Sequence, residues 1–302
     1  MDDLQNIAER LAFTRAGRAS EWRGDCPSCG YKSAACLTNG KDGRPALFCA
    51  SCSDGRELRR ILRDAAGGDA VQRHATVDRV EQARDLGSRI RKARDLWDSA
   101  IPICGTLAER YLHGRGVLHA LRLHQAARHG PALRFLPRCW SVEAGKHLPA
   151  MVAAIRDPAS GDLLAVQRTY LAQPGIKAPL HDARRSLGPA RGGAVMLHAA
   201  PLFGPLVLAE GVETACAASI MLKAPAWAAV SAGNLADGVA LPADVRDIII
   251  AADPDPPGER AAQEAAERWL AEGRKVRIAT PDDNNDFNTL LMRRAAREAS
   301  HG

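Results

Sequence analysis

The sequence predicts an α/β protein: a parallel sheet in the last hundred residues, a mixed α/β region before it, and a small zinc-binding module nearer the N-terminus. Three observations carry this reading. From residue 201 to 302, short apolar runs alternate with helical patterns, as in "GPLVLAEGVETACAASIMLK" and "RDIIIAADPDPPGERAAQEAAERWLAEG". Strand alternating with helix implies a parallel sheet covered on both faces. Cys26, Cys29, Cys49 and Cys52 form a C-x2-C-x19-C-x2-C pattern, a spacing that suits two zinc knuckles. Around Gly67 and Gly68 periodicity is lost, which marks a linker. The predicted division is a zinc ribbon over 1–64, a linker over 65–81, a mixed α/β region over 82–200 and the parallel-sheet domain over 201–302.

The 302 residues suffice for two or three domains. With 41 Lys and Arg against 35 Asp and Glu, the net charge is +6, which suits a polyanionic partner. A charged fraction of 25% is that of an ordinary globular surface and not of a basic tail. Aromatics at 4% are too few for a protein that grips single strands mainly by stacking bases on rings. "MDDLQNIAER" is acidic where a secretory signal is basic and then apolar. No uninterrupted apolar stretch reaches the length of about 18 residues that a membrane span needs. The expectation is a cytoplasmic protein with no membrane partner, whose eight cysteines are thiols or metal ligands. Cys36, Cys104, Cys139 and Cys216 lack paired spacing and are expected to be small core residues.

In chain order, the residues between the two knuckles are expected to form a hairpin. "GRELRRILRD" follows, with Arg56, Arg59, Arg60 and Arg63 at i, i+3, i+4 and i+7 on one helical face. That face is either a solvated one or a contact for nucleic-acid phosphates. "ARDLGSRIRKARDLWDSA" and "TLAERYL" read as helices, and "PAMVAAIRD" with "GDLLAVQRTYL" as a hairpin turned at Pro158 to Gly161. Arg168 lies in the second of these strands. Lys177, Arg184, Arg185 and Arg191 fall in the glycine-containing stretch beyond it, where they are candidates to line a path for nucleic acid. The histidines show no metal-ligand spacing.

Ile248, Ile249 and Ile250 are the β-branched run of a strand buried on both faces. Asp253 and Asp255 follow at its carboxyl end, two apart, so in extended chain both carboxylates face one side. Like charges about 4 Å apart repel by roughly 4 kcal/mol at an effective dielectric near 20. Such a pair either holds a cation, for which hard oxygen donors favour magnesium, or caps the following helix. In open parallel sheets function gathers at the carboxyl ends of strands. Glu210, Asp253, Asp255 and the acidic turn before Leu290 all fall there.

"LVLAEGVETA", "IIIAADPDPPGERAA" and "DFNTLL", in that order, resemble a Toprim domain, the Rossmann-like catalytic fold of bacterial-type primases, topoisomerases and certain nucleases. The resemblance implies that Glu210 is a general acid/base, that Asp253 and Asp255 are metal ligands, and that Asp286, supported by Asn288, completes the acidic set. Glu210 then joins the two aspartates around Mg²⁺ or Mn²⁺. Thr214 stands where many primases have an aspartate, and Glu213 is the nearest carboxylate. Together with the zinc ribbon, "IPICGTLAERYL", "LPAMVAAIRD" and "QRTYL", the chain is similar to primases of phages, plasmids and mobile elements. This implies RNA primer synthesis from ribonucleoside triphosphates on single-stranded DNA. The alternatives are a Toprim nuclease, which needs the same acids, and a non-catalytic single-strand-binding accessory protein. No G-x-x-x-x-G-K-[ST] occurs, so a helicase is expected in trans.

Overall fold

The computed structural model describes residues 2–16, 21–40, 44–51, 55–66, 77–125, 127–281 and 285–301. The chain divides into two units. One comprises Met1–Val80 and Ser231–Gly233, and the other Glu81–Val230 and Asn234–Gly302.

The first unit opens with α1 (Asp2–Arg10), which the sequence reading did not identify. Leu4, Ile7 and Ala8 are buried on its inner face, and so short a stripe is weak as a periodic signal. An antiparallel sheet follows in the order β1 (Thr14–Arg15), β2 (Glu21–Gly24), β3 (Ala35–Asn39) and β4 (Pro45–Cys49), then α2 (Gly55–Ala65). β3 and β4 are the hairpin expected between the knuckles. Leu4, Ile7, Phe13, Leu37, Leu47 and Leu58 form one small core under the sheet.

Helix α3 (Val77–Asp98) leads into the second unit. Residues 77–81, read from the sequence as linker, are its first turns, while residues 67–76 lie outside the described residues. The apolar pattern of α3 begins only further along, so periodicity placed its start too late. An antiparallel sheet is built from β5 (Leu133–Ser141), β6 (Lys146–Arg156) and β7 (Leu163–Ala172), with β8 (Ile176–Lys177) and β9 (Arg184–Leu187) both pairing with β7. The β6–β7 hairpin turns at Asp157–Asp162, where Gly161 takes a φ of +78°. Side chains alternate across β6. Val152 and Ala154 pack with Ala93 and Trp97 of α3. Met151, Ala153 and Ile155 face the main core with Leu107, Tyr111 and Leu112 of α4 (Leu107–Gly114). Thr106 caps α4, and Glu109 accepts the Gly105 N–H at 2.7 Å, a variant of the capping box.

The second sheet has the order β10–β12–β11–β13–β14. Strands β11 (Pro205–Ala209), β12 (Ala226–Ala228), β13 (Asp247–Ala251) and β14 (Lys275–Ala279) run parallel, with β10 (Val195–Met196) antiparallel at the edge. β11, β12 and β13 are buried almost throughout, as parallel strands covered by helices must be. α5 (Val212–Leu222) connects β11 to β12, and α6 (Pro256–Ala271) connects β13 to β14 in the opposite direction. Right-handed crossovers therefore place them on opposite faces. α7 (Phe287–His301) packs against α5.

Candidate active site and cysteine cluster

The chain leaves β11 toward β12 on one side and returns to β13 on the other. The strand order thus reverses between β11 and β13, the place where open α/β sheets bind ligands beyond their carboxyl ends. Ala209 pairs in register with Ala251. Glu210 is the next residue after β11, and Asp253 lies two residues past β13, so both stand at this point. Asp286 enters from the start of α7, beyond β14.

Asp253 and Asp255 are held differently. Asp255 caps α6: its Oδ1 accepts the Gly258 N–H at 2.7 Å, and Pro256 and Pro257 occupy the first helical positions. A Cβ on Gly258 would lie 2.7 Å from the Asp253 carbonyl oxygen and 3.0 Å from Asp255 Oδ1, so glycine is required for the turn to close. Asp253 Oδ1 instead accepts the Thr214 hydroxyl, 3.3 Å away on the first turn of α5. Burial pushes the Asp253 carboxyl above its ordinary value. The Thr214 bond opposes this, while the charges of Asp255 and Asp286 push it further up. A divalent cation would relieve that strain, and an all-oxygen donor set suits Mg²⁺ or Mn²⁺.

Asp286 also caps a helix, accepting the Thr289 N–H at 2.6 Å. Asn288 is buried and turns its amide to the Arg115 carbonyl at 2.6 Å. It ties α7 to the residue that ends α4.

The basic residues divide into two groups. Lys177 on β8 and Arg184 on β9 converge on Glu213, the carboxylate in the first turn of α5, at 3.5 and 3.8 Å. Arg184 also feels the charges of Glu210 and Asp253. Three others are engaged elsewhere. Arg185 pairs with Asp182 and Glu143. Arg191 pairs with Asp237 through two contacts of 2.7 Å. Arg168 donates to the carbonyls of Arg185 and Ser186.

In the first unit, the Sγ atoms of Cys26, Cys29 and Cys49 all lie within 4.8 Å of one another. Among the described residues they are the one group of His, Cys, Asp or Glu ligand atoms this close, so the acids of the second unit stand further apart. Zn–S bonds of about 2.3 Å give a tetrahedron with sulfur–sulfur edges of about 3.8 Å. Cys29 and Cys49 are 3.8 Å apart. The N–H groups of Cys29 and Ser51 point at the sulfurs of Cys26 and Cys49, and such donors favour thiolate. The residues present therefore fit zinc. Cys52 lies outside the described residues. Cys36 is buried on β3 with a thiol pushed up to about 11 by burial and by Glu21, and it is not in the cluster. On α2, Arg59 and Arg63 are exposed, and Arg60 is paired with Glu57 and Asp64. The Arg56 side chain is outside the described residues.

Glu213, Tyr111 and Arg115 were not picked out as site residues from the sequence. Tyr111 lies within "IPICGTLAERYL" but drew no role there, nor did Arg115, because α4 and its C-terminal cap are remote in sequence from the residues they meet. Glu213 stood out only as a carboxylate beside Thr214.

Acids gathered at the switch point of a parallel sheet define a ligand site of the doubly wound α/β class. Residues 205–297 match the Toprim domain, and this part of the chain is a Toprim domain. Residues 87–197 match a family described only as a domain of unknown function, DUF7146. No curated protein matches the chain. Among solved structures, it is similar to the primase fragment of the bacteriophage T7 primase-helicase protein, with 15% identity, 94% of this chain and 99% of that chain covered, and a TM-score of 0.41. For a DNA primase domain from Pseudomonas aeruginosa, identity is 17%, coverage 70% and 77%, and the TM-score 0.46. For the zinc-binding and RNA polymerase domains of the Aquifex aeolicus primase, the values are 13%, 98% and 82%, and 0.44. Among the described residues, no helix is long and apolar enough to cross a membrane.

Proposed function

We propose that this protein is a DNA primase that makes short RNA primers on single-stranded DNA by metal-dependent nucleotidyl transfer, in the replication or transfer of a phage, plasmid or other mobile element. The observation that carries the reading is the meeting of Glu210 and Asp253 at the switch point of a Toprim sheet, with Arg184 near enough to feel both charges and Lys177 sharing Glu213 with it. In this reading residues 1–64 hold the template, residues 82–200 guide it with the growing hybrid, residues 201–302 carry the chemistry, and a helicase acts in trans.

Asp253, Asp255 and Asp286 would hold the divalent cation, with Asn288 supporting α7 behind them. When bound, the cation supplies charge stabilisation at the reacting phosphate. Glu210 accepts the proton of the ribose 3′-hydroxyl as that oxygen attacks the α-phosphate, and the bond to the β-phosphate breaks to release pyrophosphate. Lys177 and Arg184 offset charge on the phosphates. Arg59 and Arg63 on α2 present exposed cations to the template backbone. The three-cysteine cluster supports zinc in the template-holding module.

Incubating the protein with single-stranded DNA, ribonucleoside triphosphates and Mg²⁺ or Mn²⁺ tests the proposal. RNA products a few nucleotides long are expected. Cleaved template would mean a Toprim nuclease, and intact template without RNA a single-strand-binding accessory protein.

A further inference from the structure

The Glu213 carboxylate is buried, and its partners come from three separate elements. The Tyr111 hydroxyl of α4 donates to Oε1 at 2.5 Å. Lys177 Nζ of β8 lies 3.5 Å from Oε1, and Arg184 Nη1 of β9 lies 3.8 Å from Oε2. The Glu213 side chain is 6% exposed, while those of Lys177 and Arg184 are 34% and 43% exposed. The carboxylate is therefore the inner end of the cluster and the two cations are its outer end. Removing one partner of a buried charge pair leaves the other uncompensated.

We propose that Glu213 is a positioning residue: with Tyr111 it fixes Arg184 beside Glu210 and Asp253 and holds Lys177 next to Arg184, and it is not itself a metal ligand. This rests on the primase reading only for what the two cations meet, the phosphates of a nucleotide. The chemistry of the cluster agrees. Burial works to raise the Glu213 pKa, yet Arg184, Lys177 and the Tyr111 hydroxyl outweigh it and hold the group down to about 2. A carboxylate already balanced by two cations has little charge left for a metal. Burial lowers the Lys177 pKa. Glu213 opposes that, whereas Arg184 and Arg115 add to it. Without Glu213 the lysine would lose the partner that keeps it charged. Arg184 would lose its anchor and turn toward Glu210 and Asp253, whose charges it already feels. The first change removes a cation, and the second ties one up in ion pairs with the acids, so fewer are free for the phosphates.

The test uses the full chain and equilibrium binding of ATP with Mn²⁺, which requires no synthesis. Glu213→Gln, which keeps the shape and an acceptor for Tyr111, is expected to weaken ATP binding at least tenfold. In an Arg184→Ala, Lys177→Ala background the same substitution should change nothing further, the non-additivity of residues acting through one another. Tyr111→Phe, which leaves every charge in place, should give a smaller loss in the same direction, and it decides the matter should Glu213→Gln fail to fold. A Glu213→Gln chain that binds ATP as the unsubstituted chain does would overturn the proposal. So would a loss of Mn²⁺ binding that persists in the Arg184→Ala, Lys177→Ala background, since Glu213 would then be a ligand. Primer synthesis with an unaffected Glu213→Gln chain means this inference fails and the primase reading stands. The full binding cycle without any primer synthesis means the reverse.

Discussion

Thr214 donates its hydroxyl to Asp253 Oδ1 across 3.3 Å. A neutral donor on the first turn of α5 thus stands against this carboxylate. Asp253 already bears burial and the charges of Asp255 and Asp286. A further carboxylate at this distance would add repulsion, whereas the hydroxyl stabilises the ionised form.

Asp253→Asn should therefore separate chemistry from stability. The amide nearly preserves shape and can still accept the Thr214 bond, but it removes the ligand charge. Primer synthesis is expected to fall at least roughly a hundredfold, a loss of about 3 kcal/mol of electrostatic stabilisation. Thermal unfolding in chelator should show unchanged or raised stability, because a repelled charge has gone. Full activity would sink the metal-site claim, as would a stability loss large enough to account for the missing activity.

Asp255 takes the helix-cap role that the sequence left open for the pair, and the proposed metal-ligand role is tested beside it. Asp255→Ala removes the cap to Gly258 and should cost about 1 kcal/mol, while Asp255→Asn should cost almost nothing. Both should lose primer synthesis at least roughly tenfold, about 1.4 kcal/mol. Undiminished synthesis by Asp255→Asn would leave Asp255 as a cap alone.

On α2 the ion pairs rank the arginines. Arg60 is committed to Glu57 and Asp64, and Arg59 and Arg63 are exposed. Replacing Arg59 and Arg63 together should weaken single-strand binding equally across sequences and reduce its salt slope by about 0.7 per lost contact. Replacing Arg60 alone should change the slope less. Equal slopes in all three proteins would make this a solvated face.

What the sequence revealed was what is local. The run Ile248–Ala251, the prolines after it and Gly258 specify strand, turn and helix start within a dozen residues, so β13, α6 and the acids between them were legible. The cysteine spacing was legible for the same reason. The Glu213 cluster was not, because Tyr111 lies 102 residues away and no spacing rule joins them. The basic stretch from Lys177 to Arg191 read as one patch. The structure divides it, because β8 and β9 pair with β7 and bring Lys177 and Arg184 to α5, whereas Arg191 is held by Asp237.

His198 illustrates a buried group that sequence alone left without a role. Its Nε2 meets the Ala120 carbonyl at 2.8 Å, and its Nδ1 accepts the Ala226 N–H at 3.0 Å. The neutral ring thus satisfies both neighbours. Burial lowers its pKa, and His124, stacked edge-on with ring centroids 5.0 Å apart, is lowered by burial as well. A folded-state pKa below the unfolded value means that the unfolded chain binds more protons as pH falls. The contribution is complete above about 6.5 and is lost as pH drops below it. Thermal unfolding from pH 7.5 to 5.5 should show the midpoint falling. A flat profile over that range would reject the assignment.

The cysteine cluster makes the last prediction. Three sulfurs with a tetrahedral edge and two N–H donors aimed at them make a site whose geometry fits Zn²⁺ held by thiolates. The core beneath it contains few large side chains, chiefly Leu4, Ile7, Phe13, Leu37, Leu47 and Leu58. Zinc should therefore supply much of the folding free energy of residues 1–64. Elemental analysis should return one zinc per chain, falling to well under one in Cys49→Ser. Cys36→Ser is the control. A thiol held near 11 by burial and by Glu21 resists becoming a ligand, so this variant should keep its zinc. Strong chelation should unfold the first unit, read as loss of amide protection in β3 and β4, while β11 and β13 remain protected. Zinc content unchanged in Cys49→Ser, or lost equally in Cys36→Ser, would show that the ligand set is not the one the sulfurs of Cys26, Cys29 and Cys49 define.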